Sequence, residues 1–135
     1  MGLDVGDKTI GVALSDPMFL IANPLETIKR KKASLDIARL VEIINEYDVE
    51  TIVVGLPKNM NNSIGPQSMK VMSFVDLLKK QTDKEIVYQD ERMTTLQSER
   101  VLIDMDVRRE NRKEHIDKIA ASFILQTYLD GRKNG

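Results

Sequence analysis

Strand-like and helix-like periods follow one another along this chain in an order that few architectures can accommodate. Met1–Val5 is a short apolar run ended by the turn signal Gly6-Asp7-Lys8, and Thr9–Leu14 is a second run rich in β-formers, so the pair predicts an antiparallel hairpin. Phe19–Ala22 and Leu25–Ile28 flank Asn23-Pro24 and predict a third strand, bent or at an edge because proline has no N–H for a ladder. From Ser34 the period becomes helical, with Leu35, Ala38, Val41 and Ile44 in one stripe widened by Ile37 and Leu40. Thr51–Val54 is a β-branched run bounded by Gly55, the pattern of a buried strand. Gly65-Pro66 opens a second helix with Val71, Phe74, Val75 and Leu78 as its apolar face, and Glu85–Gln89 is a fifth strand. Thr94-x-x-Gln97 has the form of a capping box opening a third helix through Leu102. Met105–Glu114 reads as a charged connection, and Ile116–Thr127 as a long final helix.

An opening meander followed by strands alternating with helices predicts an α/β domain: one five-stranded mixed sheet flanked by helices. Right-handed crossovers favour the order 3-2-1-4-5 with strand 2 antiparallel to the rest, which sets strands 1 and 4 in the middle. The chain has 135 residues, enough for a single domain over 1–135 with a real core. It has no Cys and a single His, so thiolate chemistry, disulfides, Cys-based metal sites and any two-imidazole site are excluded. No apolar run approaches the ~20 residues that span a bilayer and no signal-peptide pattern opens the chain, so a cytoplasmic protein with no membrane partner is expected. A formal charge of −1 leaves open a nucleic-acid partner bound through a local patch.

The predicted topology makes the acids informative. Asp4 interrupts the central first strand, where an unpaired charge costs several kcal/mol. Asp90-Glu91-Arg92 follows strand five at its carboxyl end, where open α/β sheets collect ligands. Asp117 lies one helical turn before Ala120-Ala121, small residues that allow close packing on the sheet. Asp4, Glu91 and Asp117 can therefore meet at one rim. Close carboxylates raise each other's pKa unless a divalent cation keeps them ionised, and oxygen donors of this kind select Mg²⁺ or Mn²⁺, one ion or two. Two ions ~4 Å apart would stabilise the attacking and leaving oxygens of an in-line phosphodiester displacement. Each acid also has a bland reading: an Asx-type turn before Gly6 for Asp4, a helix-dipole partner for Asp117.

Six segments extend this reading. Gly2-Leu3-Asp4-Val5-Gly6, Gly11–Asp16, Val54-Gly55-Leu56-Pro57, Gly65-Pro66-Gln67, Asp90–Thr95 and Asp117–Ala121 occur in order, and together they resemble the bacterial YqgF family, also called RuvX, grouped with Holliday-junction-resolvase homologues. The resemblance covers nearly the whole chain. It implies an RNase H-like fold and a metal-dependent nuclease acting at the 5′ end of pre-16S rRNA, with Asp4, Glu91 and Asp117 as the catalytic and metal-binding acids. Branched DNA cut by a resolvase is the alternative, and a non-catalytic nucleic-acid-binding domain a third reading. Monomer and homodimer both stay open.

Around the acids, cations offer phosphate contacts. Lys8 follows the Asp4 strand and Arg92 neighbours Glu91, with a solvated turn lysine and an Asp90 ion pair as the plainer readings. Arg108, Arg109, Arg112 and Lys113 put four positive charges into six residues, a segment that is basic and beside the site in the family. Such contacts give salt-sensitive affinity with little sequence reading. Gln67 at a helix start, the Asn-rich loop after Leu56 and His115 are weaker candidates. Scattered aromatics predict no stacking platform for single strands.

Overall fold

The computed structural model describes residues 1–57, 65–90 and 109–134, and the side chains of the last segment from 116 to 132. Eight elements follow in order: β1 (Gly2–Val5), β2 (Thr9–Ser15), β3 (Ala22–Lys29), α1 (Ala33–Glu46), β4 (Thr51–Leu56), α2 (Pro66–Lys79), β5 (Glu85–Asp90) and α3 (Arg109–Asn134). The strands form one sheet in the order β3-β2-β1-β4-β5. β2 runs antiparallel to β1 and β3, while β1, β4 and β5 are mutually parallel. This is the predicted topology, and the three parallel strands end at one edge of the sheet.

Alternation along each strand feeds two cores. Leu3 and Val5 of β1, Ile10 and Val12 of β2 and Ile52, Val54 and Leu56 of β4 meet the apolar faces of α1 and α2. On the other side Ala13 and Val53 meet Ala121, Ile124, Leu125 and Leu129 of α3. Small residues let α3 lie close: a Cβ on Gly2 would sit 2.7 Å from the Ala121 carbonyl oxygen. Among the described residues, no helix is long and apolar enough to cross a membrane.

Three local expectations need correction. First, Phe19–Ile21 is a turn, and β3 begins at Ala22. The Asp16 carboxylate accepts the N–H groups of Met18 (3.3 Å), Leu20 (2.7 Å) and Ile21 (2.8 Å), so a side chain takes donors that a strand would have used. These bonds hold the Asp16 carboxyl below its usual range. Pro24 does lie in an edge strand, beside a bulge where the register shifts between Val12 and Ala13. Second, α1 buries Ile37, Leu40, Ile43 and Ile44, whereas Leu35 is 51% exposed. The stripe that packs is the i, i+3, i+7 set from Ile37, because Asp36 must also face inward. Third, residues 109–114 of the expected connection are the opening turns of α3. The helix expected from Thr94 to Leu102 lies outside the described residues.

Asp36 turns inward because it closes a joint. Its carboxylate accepts from Arg30 Nε at 3.2 Å and from the Lys31 N–H at 3.2 Å, as an acid in a first helical turn can. Arg30 in turn donates to the Gly6 carbonyl at 2.8 Å and lies 5.0 Å from the centre of the Phe74 ring. One guanidinium thus ties the β1–β2 turn to α1 and α2. Asp36 is 3% exposed and Arg30 24% exposed, so removing the cation strands a buried anion. Arg30→Met is expected to cost about 3 kcal/mol in a denaturant melt, far more than the loss of an exposed ion pair.

Candidate active site

The sheet edge where β1, β4 and β5 end is where the acids were expected. β1 alternates so that Leu3 and Val5 enter the core under α1 and α2, which turns Gly2 and Asp4 toward α3. Asp4 pairs across the ladder with Gly11 of β2, so both face α3. A Cβ on Gly11 would lie 1.9 Å from the Asp117 carbonyl oxygen and 2.2 Å from its carbonyl carbon. The peptide of Asp117 therefore occupies the space a side chain at position 11 would need. Strand pairing brings Asp4 alongside that same space. Two acids 113 positions apart in the sequence are thereby gathered on one face, at one end of the sheet.

Thr9 completes the local arrangement. It shares the α3-facing side of β2 with Gly11, and its hydroxyl donates to the Asp117 carboxylate. That bond fixes one oxygen of the carboxylate. Asp117 is half-buried and sits more than two turns inside α3, so the helix-dipole reading of this acid falls. Asp4 is half-buried as well and has interactions of its own.

β5 ends at Asp90, whose ladder partner is Leu56, the last residue of β4. Glu91 is the next residue along the chain and lies outside the described residues, as do Arg92, Arg108 and the loop 58–64. Among the described residues no three acids or imidazoles converge on one point. Of the three candidate acids, Asp4 and Asp117 are among the described residues. Lys8 is exposed in the β1–β2 turn at this same end, its carbonyl accepting the Arg30 N–H at 2.9 Å. Arg109, Arg112, Lys113 and His115 lie in the first two turns of α3. Gln67 occupies the first turn of α2, whose N-cap is Gly65, and neighbouring Ser68 donates its hydroxyl to the Pro57 carbonyl.

Two residues at the site escaped the sequence reading. Thr9 looks like any strand threonine until the β2 register and the α3 contact are known. Arg30 stands within the basic run Lys29–Lys32 with no mark that it, rather than its neighbours, turns inward.

A mixed sheet ordered β3-β2-β1-β4-β5 with helices on both faces, and an aspartate on its central strand, is an RNase H-like fold. The solved structures agree on the fold: Thermus thermophilus RuvC in complex with a Holliday junction substrate superposes with a TM-score of 0.61 at 16% identity, over 98% of this chain and 94% of that one. Fowlpox virus resolvase with Holliday junction DNA superposes with a TM-score of 0.55 at 14% identity, over 97% and 96%. The chain belongs to the RuvX family, described as Holliday junction resolvase, whose model matches residues 1–131. A relative from Thermoanaerobacter pseudethanolicus, named "Putative pre-16S rRNA nuclease", is 57% identical over 135 residues, covering 99% of this chain and 97% of its own. One from Clostridium tetani with the same name is 53% identical over 134 residues, at 99% and 97% coverage.

Proposed function

We propose that this chain is a cytoplasmic, divalent-metal-dependent endonuclease, one nuclease domain over 1–135, that hydrolyses phosphodiesters of pre-16S rRNA near its 5′ end. Family membership makes it a hydrolase acting on nucleic acid. The observation that supports the catalytic assignment is the seating of the Asp117 peptide on Gly11, the ladder partner of Asp4. This close approach leaves no room for even a methyl group at position 11. It makes sense as a way to hold two carboxylates near each other.

The donor set fits a hard cation. Asp4 and Asp117 offer carboxylate oxygens, with Glu91 as the proposed third, and neither sulfur nor paired imidazole competes. Mg²⁺ or Mn²⁺ held there supplies Lewis acidity toward a phosphoryl oxygen and the attacking water. The protein's own part is orientation. Thr9 holds one Asp117 oxygen by its hydroxyl, which sets the plane of the carboxylate. Arg30 holds the β1–β2 turn through the Gly6 carbonyl and so fixes the end of the strand that bears Asp4. Lys8, Arg92, Arg108, Arg109, Arg112 and Lys113 are proposed to contact the phosphate backbone and position the substrate.

RNA is favoured over branched DNA by the names of the relatives at more than half identity. The family description and the fold of RuvC favour the second reading, a Holliday junction resolvase. A resolvase cuts two symmetric strands and works as a dimer with both sites facing one junction. The two readings separate in one experiment: purified protein with Mg²⁺ or Mn²⁺, given 5′-extended 16S rRNA and a four-way DNA junction side by side, with light scattering for mass. Selective cutting of the RNA is the expected result. Symmetric cutting of the junction by a dimer would transfer the assignment to the resolvase, and cleavage of neither would leave only a binding domain.

A further inference from the structure

Four consecutive cations, Lys29, Arg30, Lys31 and Lys32, join β3 to α1, and the fold divides them. Arg30 turns inward to Asp36, the Gly6 carbonyl and the Phe74 ring. Lys29, Lys31 and Lys32 stay exposed.

The connection lies at the end of the sheet that bears the acids. β3 runs antiparallel to β2, so it finishes beside the residues with which β2 begins, and Lys29 is the ladder partner of Thr9. Ile10 and Ile28 enter the core under α1 and α2, which puts Thr9 and Lys29 together on the α3-facing side. Thr9 is the residue whose hydroxyl holds the Asp117 carboxylate. Lys29 is therefore one strand from that contact and two strands, about 10 Å, from the strand of Asp4. The backbone here is firmly held. The Arg30 N–H donates to the Lys8 carbonyl at 2.9 Å, the Arg30 guanidinium to the Gly6 carbonyl at 2.8 Å, and the Lys31 N–H to Asp36 at 3.2 Å. The turn that follows Asp4 and the connection that carries the lysines thus form one ledge, with Lys8 exposed on it as well.

Stability does not account for these cations. Lys32 is the N-cap of α1 and makes no side-chain cap, where Ser, Thr, Asp or Asn would satisfy an orphan N–H. A positive charge at this end opposes the helix dipole, and neighbouring lysines repel one another. The acids of the ledge are already matched, Asp36 by Arg30 and Asp7 by Lys70 at 3.4 Å. Among the described residues, no carboxylate oxygen lies within 4 Å of the Lys29, Lys31 or Lys32 ammonium. Exposed cations on a rigid backbone, placed where folding disfavours them and beside a pair of acids, point to a ligand that brings its own negative charge along the rim.

We infer that the β3–α1 connection binds the phosphate backbone of the substrate next to the scissile bond, through Lys29, Lys31 and Lys32. At two strand spacings from β1 the ledge meets phosphates flanking the one at the acids, so its part is to hold and align the strand rather than to enter the reaction. The identity of that strand as pre-16S rRNA rests on the nuclease reading above.

Fluorescence anisotropy of a labelled 5′-extended 16S rRNA fragment, titrated in EDTA at several KCl concentrations, tests it. For Lys29→Gln/Lys31→Gln/Lys32→Gln the slope of log K against log[KCl] is expected to fall by about 2, and the Kd at about 0.1 M KCl to weaken at least about tenfold. Arginine at the same three positions should restore both. Lys79→Gln/Lys80→Gln/Lys84→Gln removes equal charge from exposed positions at the other end of the sheet and should move the slope by less than about 0.5. With Mg²⁺ present the loss in the first variant should appear in KM, with kcat kept to within about twofold. Its denaturant midpoint should hold or rise, because a cation leaves a helix N-terminus. An unchanged slope while the parent protein still cuts the RNA would overturn the inference and leave the nuclease reading standing, as would an equal fall in the far-end variant. Lost stability with no change in slope would assign the lysines to the fold instead. A parent protein that neither binds nor cuts the RNA would remove both readings.

Discussion

Asp4→Asn is expected to abolish cleavage of the RNA substrate while the protein folds as before. Asparagine has the same shape, so the Gly2–Val5 ladder with β2 keeps its register and the α3 face keeps its packing. What is lost is the negative charge that the proposed divalent cation would draw on. Lewis-acid stabilisation of a phosphoryl transition state is worth several kcal/mol, so a rate loss of about 10³-fold or more is expected. The melting temperature in metal-free buffer should change little. A variant that unfolds would assign Asp4 a structural role, and one that cuts at the parental rate would remove it from the chemistry.

The second large effect is Gly11→Ala. A single methyl at this position would meet the Asp117 carbonyl oxygen at 1.9 Å, its carbonyl carbon at 2.2 Å and the Lys118 nitrogen at 2.8 Å. These are backbone atoms of a long helix and cannot rotate aside as a flexible side chain could. Either α3 lifts from β2 or the strand pair bends, and both break the seam of Ala13, Ala121 and Leu125. A cost above about 3 kcal/mol is expected, at the upper end of overpacking effects. Displacing Asp117 by about 1 Å would also lower activity by about 10²-fold in whatever fraction stays folded. Gly131→Ala is the control, because a Cβ there meets nothing within 4 Å. That change lies in the last turn of α3 and should stabilise by up to about 0.5 kcal/mol. Denaturant melts of the two variants therefore move in opposite directions.

The strand order was legible because each strand carries its own signature: the Gly6-Asp7-Lys8 turn for the hairpin, Pro24 for an edge, β-branched Thr51–Val54 for a buried centre. Handedness then left one arrangement, and that arrangement brought Asp4 and Asp117 to one end. The finer contacts depend on register and depth, which periodicity does not report. Leu35 and Ala38 have the right spacing for a core stripe, yet Asp36 needs the inward position to meet Arg30, and the helix rotates to suit it. Phe19–Ile21 has strand composition, but Asp16 takes its N–H groups first. Gly11 looks like a weak point in a strand, and only the height of α3 above it reveals that no other residue fits.

Asp4 and Asp117 are proposed to share one cation. Anomalous diffraction from a crystal soaked in Mn²⁺ measures this directly, with Asp4→Asn crystals treated alike. The expected result is a manganese peak within coordination distance of carboxylate oxygens from both residues, absent or greatly weakened in the variant. Manganese bound elsewhere, or at only one of the two acids and unaffected by the substitution, would contradict it.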